Sequence, residues 1–168
     1  MPPRVTLRGP QGKVRFVLMR NPARDWRRAA KTPGRYLTVR ADDGTALNAR
    51  LFPPYRRVPG KRYPVIVYVY GGPGAQVVTY RYNGNMPLWA ALNQRGFGVF
   101  MLDNRGSGGR DHRFTRAIHH RVGDIEVRDQ LAGVKYLKTL DWVDAKRIGV
   151  YGWSYGGFMS AKLLARPS

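Results

Sequence analysis

The chain contains no cysteine, which excludes disulfides, thiolate metal sites and thiol redox chemistry. It has no apolar run near the roughly 20 residues a membrane-spanning helix needs. The longest, Val65-Ile66-Val67-Tyr68-Val69-Tyr70, is of strand length. The N-terminus, Met1-Pro2-Pro3-Arg4-Val5-Thr6-Leu7-Arg8, lacks an apolar signal region, so no signal peptide is expected on this chain. Neither absence assigns a compartment. Acidic residues are scarce, 10 against 30 Lys and Arg, and the formal net charge is +20. Such a balance suits nucleic-acid or anionic-surface binding. The charges are scattered, however. Arg24, Arg27, Arg28 and Lys31 cluster with only Trp26 as an interleaved aromatic, and no RNA-binding or helix-turn-helix signature accompanies them. Composition is therefore the simpler account of the charge, and a nucleic-acid partner is not expected.

What is present is a length of 168 residues, enough for one domain with a real core. Residues 1–33 are rich in proline and glycine and read as a lead-in segment, with a short strand over Lys13–Met19 and a short helix over Ala23–Lys31. From Gly34 the pattern sharpens. Tyr36–Arg40 and Ala46–Phe52 flank Asp42-Asp43-Gly44, a hairpin signal. The run 65–70 and the run Phe97–Leu102 read as strands buried on both faces. A helix is expected over Pro87–Gln94, stopped by Gly96. Residues 107–123 read as a long polar loop holding all three histidines. The clearest helix is 124–140, with Asp124 as N-cap and Val127, Leu131, Val134 and Leu137 as its apolar stripe. Arg147–Tyr151 is the last strand and Phe158–Ala165 the last helix. Alternation of this kind predicts an α/β fold with a mostly parallel sheet, helices on both faces and an N-terminal hairpin.

Between that last strand and helix stands Gly152-Trp153-Ser154-Tyr155-Gly156, which reads G-x-S-x-G. A strand before and a helix after make this a nucleophile elbow, a turn that holds a serine clear of the sheet. Gly152 and Gly156 allow the backbone to turn without Cβ clashes. The position places Ser154 at a helix N-terminus, which favours developing negative charge. The chemistry predicted is acyl transfer, hydrolysis above all. The plainer alternative makes Ser154 an ordinary helix N-cap. Tyr70-Gly71-Gly72-Pro73-Gly74 follows the third strand, where such folds build an oxyanion hole. A phenol at Tyr70 can donate to an oxyanion, or simply pack.

Together, Gly152-Trp153-Ser154-Tyr155-Gly156-Gly157, Val69-Tyr70-Gly71-Gly72-Pro73-Gly74 and Asp103-Asn104-Arg105-Gly106-Ser107-Gly108 resemble the prolyl oligopeptidase family of serine peptidases, most of all its dipeptidyl peptidase IV branch. Gly123–Gln130 and Trp142–Ile148 fit as well. The resemblance implies an α/β-hydrolase catalytic domain over 34–168, in its N-terminal part only, preceded by a β-propeller that 1–33 would join to it. It implies Ser154 as nucleophile, with the Tyr155 N–H and the Tyr70 hydroxyl as oxyanion donors. Short peptides are the implied substrates, and no cofactor or metal is implied. Family members place the triad Asp and His after the serine, and the sequence offers neither beyond Ser154. The chain is therefore expected to be inactive alone, to need the propeller and the rest of the catalytic domain, and to self-associate through an open edge at Arg147–Tyr151.

His112, His119 and His120 precede the serine, against the Ser–Asp–His order of hydrolases, and His119-His120 lacks a third ligand at metal spacing. Asp103 ends the wrong strand for a triad acid and is expected to bond within the turn that follows it. There is no phosphate loop of the G-x-x-x-x-G-K-[ST] type. A second reading stays open at this point, a non-catalytic basic binding protein on a degenerate hydrolase half-domain.

Overall fold

The computed structural model describes residues 4–20, 33–81 and 84–166. Strand β1 (Val5–Arg8) pairs antiparallel with β2 (Val14–Met19) in a two-stranded sheet of its own. The turn closes by a 2.9 Å bond from the Gly12 N–H to the Gly9 carbonyl. The expected strand at Lys13–Met19 is thus present, and its partner β1 had no signal beyond a short mixed run. The helix expected at Ala23–Lys31 falls outside the described residues.

The main sheet begins with the hairpin of β3 (Arg35–Arg40) and β4 (Ala46–Phe52), in register from Arg35 opposite Leu51 to Arg40 opposite Ala46. Gly44 takes φ +82° in the turn, and the Asp43 carboxylate accepts the Thr45 N–H at 3.0 Å. Strands β5 (Tyr63–Tyr68), β6 (Gly98–Asp103) and β7 (Val143–Tyr151) complete it in the order β3-β4-β6-β5-β7. The sheet is mixed rather than mostly parallel: β5 pairs parallel with β6 and β7, whereas β3–β4 and β4–β6 are antiparallel. The cause is local. Helical crossovers impose parallel pairing on β5, β6 and β7, while the hairpin enters the sheet through β4, which runs against β6 from Asn48–Asp103 to Phe52–Val99.

Every residue of β6 is buried, and its period-2 alternation feeds two cores. Phe100 and Leu102 face Val65, Val67, Leu137 and Trp142 on one side. Val99 and Met101 face Tyr68 and Trp89 on the other. Trp89 belongs to α1 (Met86–Gln94), which covers that second face and stops at Arg95, followed by Gly96 at φ +87°. The segment expected as polar loop contains α2 (His112–Arg116), because Asp111 caps it by accepting the Phe114 N–H at 2.8 Å and Phe114 is buried.

Helix α3 (Ile125–Lys138) and α4 (Tyr155–Leu164) cover the first face. The approach of α3 depends on Gly133, where a Cβ would lie 2.8 Å from the Phe100 ring and 3.1 Å from Leu102. Asp124 precedes α3 but makes no capping bond, in contrast to the expectation, because it has helical φ and ψ. The Glu126 carboxylate instead takes the Gly123 N–H at 2.9 Å. Among the described residues β7 is an edge of the sheet, with Ala145, Lys146, Arg147, Gly149 and Tyr151 exposed.

Candidate active site

The G-x-S-x-G turn sits where β7 ends and α4 begins. The Val69 N–H bonds to the Tyr151 carbonyl at 2.9 Å, so the segment after β5 follows β7 to its end. Ser154 then takes φ 56°, ψ −125°, a left-handed conformation that costs a non-glycine residue roughly 1–3 kcal/mol. Its carbonyl accepts the Gly157 and Phe158 N–H groups at 2.8 and 3.2 Å, the first turn of α4. Its side chain is exposed and makes no capping bond. An ordinary N-cap serine has extended backbone and spends its hydroxyl on the helix; Ser154 does neither. The flanking glycines matter for closeness. A Cβ on either Gly152 or Gly156 would run into the Val69 carbonyl oxygen.

The loop after β5 backs onto this turn. Gly72 fits between two rings, since a Cβ there would lie 2.8 Å from Tyr70 and 2.9 Å from Tyr155. The ring centroids of Tyr70 and Tyr155 are 6.2 Å apart. Gly71, at φ +74°, passes the side chains of Met159 and Asn104. Among the described residues neither the Tyr70 hydroxyl nor the Tyr155 N–H has a hydrogen-bond acceptor. The Tyr70 ring thus packs beside Tyr155, the residue that follows Ser154 in the turn. An exposed hydroxyl and N–H donors of this kind are the group types that acyl transfer uses.

A buried polar layer holds this place, and most of it carried no role in the sequence reading. The Tyr155 hydroxyl donates to Glu126 at 2.6 Å. Burial first, and then the carboxylate, push the Tyr155 phenol well above the usual range. Asp103 is buried and accepts the Val77 and Val78 N–H groups at 2.8 and 3.2 Å, so it ties down the loop after β5 rather than the turn that follows it. Burial raises its carboxyl to about 6, opposed by those two N–H groups and the Gln76 amide. Asn104 donates to the Gly71 carbonyl at 3.1 Å and receives the Gln130 amide at 2.9 Å. Arg105 lies between Asp129 at 2.6 Å and Asp43 at 2.5 Å, joining α3, the end of β6 and the hairpin turn. The available signal was position: Glu126, Asp129, Gln130 and Gly133 fall on one helical face at i, i+3, i+4 and i+7, too polar for a solvated stripe to explain once they are buried.

His112 begins α2, and His119 and His120 are exposed with ring centroids 3.9 Å apart. Among the described residues no hydrogen bond joins a histidine to Ser154. No group of three His, Cys, Asp or Glu residues able to hold a metal occurs among the described residues. No described helix is long and apolar enough to cross a membrane.

Comparison with known proteins adds the following. The sequence profile of the prolyl oligopeptidase family matches residues 81–168. The chain is 37% identical over 142 residues to dipeptidyl peptidase 8 of Homo sapiens, covering 82% of this chain and 16% of that protein. It is 35% identical over 135 residues to dipeptidyl peptidase 4 of Trichophyton equinum, covering 79% and 17%. The crystal structure of Porphyromonas gingivalis dipeptidyl peptidase 4 superposes with a TM-score of 0.84 at 31% identity, covering 97% of this chain and 23% of that one. The chain thus spans less than a quarter of the length of these relatives.

Proposed function

Because the chain belongs to the prolyl oligopeptidase family, we propose that it is the N-terminal part of the α/β-hydrolase catalytic domain of a serine peptidase of dipeptidyl peptidase type, and that Ser154 is its nucleophile. The observation that carries this reading is the backbone of Ser154, held at φ 56° with its side chain exposed and making no capping bond. A strained, outward serine between strand and helix is the geometry that nucleophilic attack needs. Ser154 Oγ adds to the carbonyl carbon of a short peptide, the amine leaves with a proton, and water hydrolyses the resulting acyl-enzyme. The Tyr155 N–H and the Tyr70 hydroxyl receive the oxyanion. The proton acceptor is a histidine oriented by an aspartate, both supplied by sequence other than these 168 residues. Residues 1–33 form the connection to a propeller, and 34–168 the partial catalytic domain.

A fluorophosphonate probe tests the assignment on this chain. The expected adduct is slow and confined to Ser154, and S154A removes it. An adduct of equal yield in S154A, or labelling of the wild-type chain at another residue in preference to Ser154, overturns the reading. Turnover of a proline-containing dipeptide chromogen is expected to be negligible, because a triad enzyme without its base loses most of its rate.

A further inference from the structure

Cations that are scattered along the sequence converge in space. The parallel strands place Ser154 beyond their C-terminal ends. About 20 Å away, at roughly 3.3 Å per residue of β5, the N-terminal ends of β5, β6 and β7 are covered by three segments: 53–62, the end of α1, and 139–142. Backbone bonds join these segments, from Tyr63 N–H to the Trp142 carbonyl at 2.8 Å and from Tyr55 N–H to the Asn93 carbonyl at 3.0 Å.

They present Arg56, Arg57, Lys61, Arg62, Arg95 and, from β7, Lys146, all exposed and none in an ion pair among the described residues. The neighbouring Arg147 is matched by Asp144 at 2.6 Å, which leaves Asp141, among the described residues, as the one exposed carboxylate on these segments with six cations. The other described carboxylates lie toward the Ser154 end, in the hairpin turn, at the end of β6, before α2 and in the first half of α3. The described carboxylates are thus concentrated toward one end of the sheet, while exposed arginines occur at both.

Aromatic rings hold the cations in place. Arg56 lies 5.6 Å from the Tyr55 ring centroid, Arg57 5.4 Å from Trp142 and Lys61 5.5 Å from Tyr63. A guanidinium resting on a ring keeps its N–H edge free for an anion, and Tyr55 is itself exposed enough to stack on a base.

We propose that this end of the sheet, centred on Arg56, Arg57, Lys61 and Arg62, binds the phosphate backbone of nucleic acid without sequence preference. Arginine forks match phosphate oxygens in pairs, and cations interleaved with aromatic faces suit a single strand. The proposal stands apart from the peptidase reading, since it uses no residue near Ser154.

Fluorescence anisotropy of the full 168-residue chain with a labelled oligothymidylate tests it. Affinity is expected to fall roughly 100-fold between about 50 and 200 mM salt, as contact with about five phosphates implies. The variant R56A/R57A/K61A/R62A is expected to bind at least tenfold more weakly and to lower the salt slope by about 3, at about 0.7 per cation removed. The control R113A/R116A/R121A/R128A removes the same charge near the Ser154 end and is expected to change affinity less than threefold. If loss of the Arg57–Trp142 contact unfolds the first variant, R56Q/R62Q is read in its place, with half the slope change. Equal losses in both variants overturn the proposal, because net charge alone then explains binding. So does a preference for polyglutamate or for phosphatidylserine vesicles over the oligonucleotide, or an affinity that ignores salt.

Discussion

The Tyr155 hydroxyl donates a 2.6 Å hydrogen bond to Glu126, whose other carboxylate oxygen accepts the Gly123 N–H. The residue after the candidate nucleophile is thereby fastened to the first turn of α3, with Glu126 fully buried. Y155F leaves one oxygen of that carboxylate without its donor. It is expected to cost about 1–3 kcal/mol of stability, read by urea unfolding; a variant as stable as the wild type would show that the bond contributes nothing. The phenol's raised pKa adds a sign. The unfolded tyrosine ionises near its usual value, about 10, and the folded one above it. The contribution is therefore complete below about pH 10 and lost as pH rises further.

Asp103 makes an opposite region of the pH scale informative. Its carboxyl is raised by burial to about 6, against about 3.9 unfolded. Between those values the folded state holds the proton more tightly, so stability is expected to fall as pH rises from 4 to 6, by about 2–3 kcal/mol. D103N keeps an acceptor for the Val77 and Val78 N–H groups and removes the buried charge. It is expected to be the more stable protein above pH 7 and to flatten the slope. Parallel pH–stability curves for the two proteins would contradict this.

The turn glycines predict a sharp steric response. A methyl group at Gly156 has to displace the Val69 carbonyl or the start of α4. G156A is expected to lose 2 kcal/mol or more, the range of serious overpacking, and to abolish probe labelling at Ser154. G149A, where a Cβ meets nothing within 4 Å, serves as the tolerated counterpart.

Arg105 and Asp129 form a pair whose side chains are 18% and 0% exposed. Removing one partner of so buried a pair is expected to cost about 3–5 kcal/mol, so D129A should lower the melting temperature markedly. D43A breaks only the more exposed arm of the same arginine, and should cost far less. Equal effects of the two substitutions would refute the ranking.

Among the described residues no strand pairs with the outer side of β7. Such an edge invites strand addition, and sedimentation velocity is expected to show association that grows with concentration. A monodisperse monomer across a wide dilution series would contradict it.

The elements that were legible in the sequence are those with a short-range cause. The hairpin followed from Asp42-Asp43-Gly44, α1 from its glycine stop, and the turn around Ser154 from its two glycines and flanking apolar runs. The mixed sheet was not legible, because nothing in residues 46–52 says which strand β4 will join. Asp124 looked like a cap by residue type, yet its own φ and ψ pass that role to Glu126. Asp103 and Glu126 were misread or passed over for the same reason: each is satisfied by a partner more than 20 residues away, through contacts that only the folded chain creates.

The sheet order also dictates when the Ser154 turn can exist. Strand β5 meets β6 within about 35 residues, but its other neighbour, β7, lies more than 80 residues further along, Val67 opposite Val150. Closing that longer loop costs more chain entropy than closing the β5–β6 one. A growing chain therefore completes the hairpin, β6 and α1 first, and keeps one side of β5 bare until residues 143–151 arrive. The left-handed backbone of Ser154 lacks the strand that leads into it before that moment, so the turn takes its shape only once β7 has paired with β5.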